Sequence, residues 1–263
     1  MSMPAPSWQD SKVMYLVVGV VIGIVVGLLL AVALQPGSGS GGTTSPSPRP
    51  SVYSSAWTVS ADPSTLTPSL KVLAGSAVFV FVGFVNSEIG GGSIAGVTDS
   101  LGDTYALVAS SGYSENHTEN LYVAEPSVST STFSVIVTFY AGDTPMGGSV
   151  GVVDVAGSGT LTIDGVNWEN GVGGIASVTV PTNHSGDLVL LGVSGQWKDE
   201  PFAPVTGETL LDTGGNTSGP FEDGESIGTF WSNETGSTAL LSATLANAAV
   251  WNAVGVGILD TAT

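Results

Sequence analysis

Residue types that transfer protons or bind transition metals are scarce in this chain of 263 residues. It has no cysteine and two histidines, His117 and His184. Each histidine lies inside an N-glycosylation motif, Asn116-His117-Thr118 or Asn183-His184-Ser185, and both segments predict polar turns with exposed side chains. Thiolate chemistry is excluded, and a histidine-rich metal site or a Ser-His-Asp triad would have to depend on these two residues.

Pairs of carboxylates are the remaining groups with a catalytic use. A glycosidase needs two Asp or Glu side chains about 5–10 Å apart, one with a raised pKa. The candidates are Glu169 beside Trp168, and Asp199 and Glu200 near Trp197. The alternative interpretation is solvated turn carboxylates beside packing tryptophans. No other catalytic motif occurs, so we expect a protein that is not an enzyme, with a carboxylate-pair glycosidase as the alternative.

Two acidic segments, residues 99–103 and 222–225, offer the oxygen ligands that calcium prefers. Neither has the ligand spacing of an EF-hand loop. The first reads DSLGD, which predicts a hairpin turn in which Gly102 adopts a positive φ. We therefore expect no cofactor, with structural calcium as the alternative.

From residue 52 onward, short β-forming runs alternate with turn residues. Residues 77–85 (AVFVFVGFV) are apolar on both faces, which predicts a central strand covered on each side. Separate strands are predicted at 161–166, 176–180, 238–245 and 250–259, and residues 242–250 could hold a helical turn. The pattern predicts a mainly β head over residues 52–263, built as a two-sheet antiparallel jelly-roll sandwich.

Three parts of the head carry a resemblance to a known domain. They are VTDSLGDTYALVAS (97–110), ENLYVAEPSVSTSTFSVIVTF (119–139), and the pair SGDLVLLGVSG (185–195) and GETLLDTG (207–214). In this order they resemble the jelly-roll domain of bacterial and archaeal surface and secreted proteins, which has a V-x-D-S-x-G-N-T-[YW] hairpin. Asp103 stands where that family usually has Asn. The resemblance implies the fold and transfers no catalytic residue.

Residues 13–34 (VMYLVVGVVIGIVVGLLLAVAL) form an uncharged run that predicts a transmembrane helix. Its 22 residues span about 33 Å as a helix, and a bilayer core is ~30 Å thick. Residues 1–12 are then a short cytoplasmic tail, because Lys12 favours an inside N-terminus. The alternative is a signal peptide cleaved after Ala33, but the run exceeds a signal-peptide core. Residues 35–51 predict a Gly/Ser/Pro-rich stalk.

Two further sequence features indicate what the predicted helix packs against and on which side of the membrane the head lies. Gly19, Gly23 and Gly27 would share one helix face, so we expect the helix to pack on a second copy or on another helix. Four N-glycosylation motifs, at Asn116, Asn183, Asn216 and Asn233, all lie C-terminal to the run. They agree with a single-pass protein of the cell membrane whose head is extracellular.

The charge distribution limits the classes of partner that this protein can bind. The formal net charge is -18, and every acidic residue except Asp10 follows residue 50, where Lys71 and Lys198 are the only lysines or arginines. A nucleic-acid partner is excluded, because phosphate binding needs clustered Lys and Arg. A head with so few bases gains little positive charge as its carboxylates are protonated, which suits an acidic milieu.

Three functions fit these features. The first is a membrane-anchored cell-surface protein that displays its head for structural or adhesive interaction with a surface protein or glycan. The second is a carbohydrate-binding ectodomain in which Trp168, Trp197 or Trp231 stacks on sugar rings. The third is a subunit of a surface filament or layer, as in pilins, although the residues before Val13 lack a prepilin cleavage site.

Overall fold

The structure is a computed structural model that describes residues 49–61, 63–85, 94–112, 117–126, 128–140, 145–195, 202–205, 208–215, 226–233 and 236–261. All of them belong to one compact unit, Pro46–Thr263. The predicted tail, the helix at 13–34 with Gly19, Gly23 and Gly27, and residues 35–48 of the stalk lie outside these ranges. Among the described residues, no helix has the length and hydropathy to span a bilayer.

The described residues fold into strands. In chain order these are β1 (Ser51–Ala61), β2 (Thr65–Leu66), β3 (Ser69–Val72), β4 (Ala77–Val85), β5 (Ile94–Asp99), β6 (Ala106–Ser110), β7 (His117–Ala124), β8 (Thr130–Phe139), β9 (Gly147–Ala156), β10 (Thr160–Pro181), β11 (Leu188–Gly195), β12 (Ala203–Pro204), β13 (Thr209–Gly215), β14 (Ser226–Asn233) and β15 (Thr238–Thr261). The predicted start of the head at residue 52 lies one residue inside β1.

The middle sheet has the strand order β1-β9-β4-β7-β6 and is antiparallel throughout. Every residue of its central strand, β4, is buried. Val80 and Val82 face one apolar core, whereas Phe79 and Phe81 face another. The prediction that residues 77–85 form a central strand covered on both faces is confirmed, because a strand with two apolar faces needs a layer on each side.

The two covering layers are separate sheets. In the small sheet, β2, β3 and β5 all pair with β8, and Phe133 packs with Val80. The large sheet, in the order β10-β15-β11-β14-β13 with β12 paired to β15, packs Leu190 with Phe81 on the opposite face. The predicted mainly β, antiparallel fold is confirmed. The predicted number of two sheets is too low, since the described strands form three.

The large sheet contains one long ribbon formed by β10 and β15. These strands pair from Thr160 with Thr261 to Pro181 with Thr238. The sequence predicted two separate strands in each, at 161–166 and 176–180 and at 238–245 and 250–259. That division is wrong, because the interruptions are irregularities within two continuous strands.

The ribbon bends at a corner where its register shifts between Gly173 and Ile175. Gly173 has a φ of 151°, which favours glycine. Beyond the corner the ribbon folds back over its own sheet, and Val180 approaches Gly255 so closely that a Cβ there would overlap it. The predicted helical turn at 242–250 is wrong, because this stretch is the β15 side of the corner and stays extended.

The sandwich has two ends that the strand registers define. The proximal end contains Arg49 and Pro50, just before β1, and Leu188, where β11 begins. The distal end contains Gly195, where β11 ends, and Val85, which pairs with the first residue of β7. Pro50 is buried, so the chain enters the head at the proximal end.

Candidate functional site

A group of polar side chains occupies the distal part of the space between the middle and large sheets. This distal polar cluster consists of Ser111, His117, Glu119, Ser194 and Asn252, all fully buried. His117 and Glu119 lie on the same face of β7 as Leu121, which belongs to the apolar core between the two sheets. Ser194 and Asn252 are cross-strand partners in the large sheet. The core therefore changes from apolar to polar toward the distal end.

Ser111 connects the two sheets. Its N–H donates to the Glu119 carbonyl (2.8 Å), and the Glu119 N–H donates to Ser111 Oγ (2.9 Å). Ser111 Oγ in turn donates to Asn252 Oδ1 (3.2 Å). The hydrogen bonds of Ser111 fix the position of β7, the strand that carries His117 and Glu119. A histidine and a carboxylate buried on one face of a strand can exchange protons or contact a polar group.

The prediction that His117 lies in an exposed turn is wrong. His117 begins β7, pairs with Val85 and is fully buried, and Thr118 beside it is buried as well. The polar residues of the glycosylation motif predicted a turn, whereas in the structure the side chains of His117 and Thr118 form part of the core. The prediction holds for His184, whose side chain is 56% exposed in the turn before β11.

A second polar site lies at the proximal end, where Asp164 holds the turn between β10 and β11. Asp164 occupies a bulge in β10. Its carboxylate accepts hydrogen bonds from the N–H groups of Asn183 and His184 and from His184 Nδ1 (2.9 Å). Asn183 Nδ2 also donates to the Asp164 carbonyl (3.1 Å). These bonds fix the turn against the strand.

The turn ends at Asp187, which is fully buried beside Asp164. No N–H or hydroxyl group among the described residues donates to either Asp187 oxygen. Burial is the main cause that raises the pKa of Asp187 to about 7, and the nearby Asp164 carboxyl contributes to the same shift. Desolvation raises the pKa of Asp164, but the hydrogen bonds that its carboxylate accepts from Asn183 and His184 act in the opposite direction, and the pKa is lowered. The structure thus contains a carboxyl pair, Asp164 and Asp187.

This pair is not one that the sequence indicated. Glu169 is exposed on β10, and Asp199, Glu200 and Trp197 lie outside the described residues. Asp164 and Asp187 are 23 positions apart, and nothing in their spacing predicts contact. The available signal was Asp187 itself, a charged residue directly before the fully buried strand β11.

The acidic segment at 99–103 forms the predicted tight turn, closed by one antiparallel bridge between Thr98 and Thr104, but the turn does not join two paired strands, because β5 pairs with β8 and β6 with β7. Gly102 has a φ of 87°, and the Asp99 carboxylate accepts hydrogen bonds from the N–H groups of Leu101 (2.8 Å) and Asp103 (3.1 Å). Tyr105 also donates to Asp99 (3.2 Å). Within the described ranges, no group of three or more His, Asp or Glu side chains is arranged to hold a metal ion. Residues 222–225 lie outside those ranges.

The candidate sugar-stacking residues and glycosylation sites have different environments. Trp168 is 43% exposed on β10, whereas Trp231 is partly buried against the core between the middle and large sheets. Asn183 and Asn233 are exposed, and Asn116 and Asn216 lie outside the described residues. Of the three tryptophans, Trp168 is the one that the described structure presents to solvent.

Comparison with known proteins adds no assignment. No protein-family model matches the chain, and no curated protein matches its sequence.

Proposed function

We propose that this protein is a non-catalytic, single-pass membrane protein that displays a β-sandwich head at the cell surface for structural or adhesive interaction. The chain enters the head at the proximal end, through Arg49 and the buried Pro50. The apolar run at 13–34 and the stalk precede that point, so a membrane anchor would hold the head by its proximal end. This placement is the observation that carries the proposal.

The distal end would then face outward. Strands of about eight to ten residues at ~3.3 Å each separate the two ends by roughly 30 Å. β4 and β11 end at the distal end, and β7 begins there. Connections at one end of a sandwich are common binding positions. We place the contact surface of the head there, over the distal polar cluster.

The same proposal includes the assignment of the head as a jelly roll. The antiparallel sheets and the Asp99 turn support the resemblance to the jelly-roll domain of bacterial and archaeal surface proteins. In that assignment the ribbon of β10 and β15 curls over the sandwich, and the third, small sheet is an additional layer. The glycine face of Gly19, Gly23 and Gly27 would add a homo-oligomeric contact within the membrane.

Membrane fractionation tests the anchor. The full chain should sediment with membranes and require detergent for release, because transferring 22 residues with no charge into lipid is strongly favourable. A chain that lacks residues 1–34 should remain in the aqueous fraction. Release of the full chain by salt alone, without detergent, would contradict the proposal.

Carbohydrate binding is a second candidate function, and the exposure of Trp168 favours it. A tryptophan that is 43% exposed on β10 offers a stacking face for a sugar. Stacking of this kind contributes about 1 kcal/mol beyond area burial.

A glycan array with the full chain in detergent tests this candidate. Trp168→Ala should abolish any sugar-specific signal. Trp57→Ala is the matched control, because Trp57 is 40% exposed on β1 in the middle sheet. Equal loss of signal in both variants, or an array without signal, would argue against sugar binding and leave structural display in place.

A further inference from the structure

Three neighbouring strands of the large sheet carry a row of polar side chains. Asn170 on β10 pairs with Asn252 on β15, which pairs in turn with Ser194 on β11. Cross-strand partners project from the same face of a sheet. This face is turned toward the middle sheet, because Asn170 Nδ2 donates to the Ser111 carbonyl (3.4 Å) and Asn252 Oδ1 accepts from Ser111 Oγ (3.2 Å). We call Asn170, Asn252 and Ser194 the polar row.

The two inner members of the polar row have unused hydrogen-bonding capacity. Asn252 and Ser194 are fully buried, and neither Asn252 Nδ2 nor Ser194 Oγ has a hydrogen-bond partner among the described residues. Buried polar atoms are almost always hydrogen-bonded, to protein or to a bound molecule. The Cβ atoms of cross-strand partners are about 5 Å apart, so one oxygen atom between the two side chains can bond to both. The pair is thus arranged to bind a hydroxyl group.

Trp168 lies at the solvent side of the polar row. It pairs with Val254, which packs in the core between the middle and large sheets, so it projects from the same face as Asn170, two residues further along β10. Glu169, between them, projects from the opposite face. Trp168 is 43% exposed, and Asn170 is exposed as well. The edge of the sandwich where β10 lies opposite β6 therefore combines an accessible indole with amide groups.

The charges of the head indicate the class of ligand. The lysine and arginine within the described ranges are Lys71 on β3 and Arg49 before β1, so neither belongs to the strands around the polar row. Glu119, on the facing strand β7, is acidic and buried. An anionic ligand would therefore meet no positive charge from these residues. Amide and hydroxyl groups act as both donors and acceptors, as the hydroxyl groups of a sugar do.

We propose that Trp168 and the polar row form a binding site for a neutral saccharide. One sugar ring stacks on the Trp168 indole, and a hydroxyl group of the sugar bonds to Asn252 Nδ2 and Ser194 Oγ. Asn170 gives access, because its exposed side chain is held by the 3.4 Å hydrogen bond to Ser111 and rotates into solvent when that bond breaks. The inference rests on carbohydrate binding as the second candidate function, and it adds the residues that act beside Trp168 and the neutral class of the sugar.

Isothermal titration calorimetry on the full chain, in a detergent without a sugar head group, tests the site. Maltose, lactose and chitobiose are the probes, and at least one of them should give binding heat that Trp168→Ala removes. Ser194→Ala should weaken that binding about fivefold, because one net hydrogen bond changes an affinity by about that factor. Glucuronic acid, an anionic sugar, should give no heat.

Urea unfolding separates a ligand-binding role of Ser194 from a structural one. Ser194→Ala should leave the urea midpoint unchanged or raise it, because the hydroxyl that it removes makes no hydrogen bond to the described part of the chain. Ser76→Ala is the matched control. Ser76 is also buried, but its Oγ donates to the Leu73 carbonyl (2.6 Å), just before β4. This variant should lower the urea midpoint and keep the wild-type affinity.

The outcomes distinguish the polar row from sugar binding in general. Unchanged affinity in Ser194→Ala, together with loss of binding in Trp168→Ala, would overturn the polar row and leave stacking on Trp168 in place. Absence of heat with all three disaccharides would overturn both, and heat with glucuronic acid would overturn the neutral class. A lower urea midpoint in Ser194→Ala would assign its hydroxyl to the fold and overturn the proposal. If Ser194→Ala does not fold, Ser194→Gly decides. Membrane attachment is tested separately by fractionation.

Discussion

Replacing Gly192 with alanine tests how the middle and large sheets pack. Gly192 lies on β11 opposite the Phe81 side chain of β4. An added Cβ would be 2.6 Å from Phe81 Cγ and 3.0 Å from Phe81 Cβ, inside contact distance. Phe81 is fully buried between the sheets, so its ring has no free space to enter.

The magnitude follows from two opposing effects. Overpacking of a filled core costs about 1–3 kcal/mol. Replacing Gly by Ala also restricts the unfolded chain, which stabilises by about 0.4–1 kcal/mol. We expect Gly192→Ala to lower the free energy of unfolding by about 1–2 kcal/mol. Gly96→Ala is the control, because no atom lies within 4 Å of its added Cβ, and it should be neutral or slightly stabilising.

Urea unfolding of the full chain in detergent, followed by tryptophan fluorescence, measures both variants. Phe81→Leu in the Gly192→Ala background should recover part of the loss, with a coupling energy of about 0.5–3 kcal/mol for side chains in direct contact. Equal stability of Gly192→Ala and Gly96→Ala, or a coupling energy of zero, would refute the packing of β4 on β11.

Other side chains provide independent tests. Asp154→Asn should flatten the fall in the urea midpoint between about pH 4 and pH 6, because burial raises the pKa of Asp154 to about 6 and its stabilisation is lost as pH rises through that value. Asp99→Ala removes the acceptor for two turn N–H groups and should lower the free energy of unfolding, measured with urea, by about 1–3 kcal/mol. An unchanged free energy of unfolding would show that the turn forms without that carboxylate. Mass spectrometry of glycosylated material should give higher occupancy at Asn233 than at Asn183, because Asn183 Nδ2 donates to Asp164; the reverse order would contradict that role.

Parts of the fold that depend on local pattern were predictable. The bounds of β4 were predicted to the residue, and its two apolar faces correctly indicated layers on both sides. The Asp99 turn was predictable because its turn chemistry lies within five residues, whereas the pairing of β5 with β8 and of β6 with β7 was not. Both features are determined by neighbouring residues, for which periodicity and turn preferences carry the information.

Features that depend on long-range pairing were not predictable. The ribbon of β10 and β15 was divided at its corner, because the glycines at 171, 173 and 174 have the composition of a loop. The strand β2 is defined by its pairing with β8, because its two residues are too few to show the alternation of apolar and polar residues that predicts a strand. His117 was assigned to a turn because polar residues usually lie at the surface. The Asp164–Asp187 contact joins residues that only the folded ribbon brings together.

The location of the head relative to the membrane is the central claim, and single-cysteine labelling tests it most directly. The chain has no cysteine, so each variant carries one reactive thiol. Val172→Cys places it at a head position that is 72% exposed, and Ser2→Cys places it in the predicted cytoplasmic tail. On intact cells, a membrane-impermeant maleimide should label Val172→Cys at once and Ser2→Cys only after permeabilisation. Labelling of Ser2→Cys on intact cells, or protection of Val172→Cys, would contradict an outward-facing head.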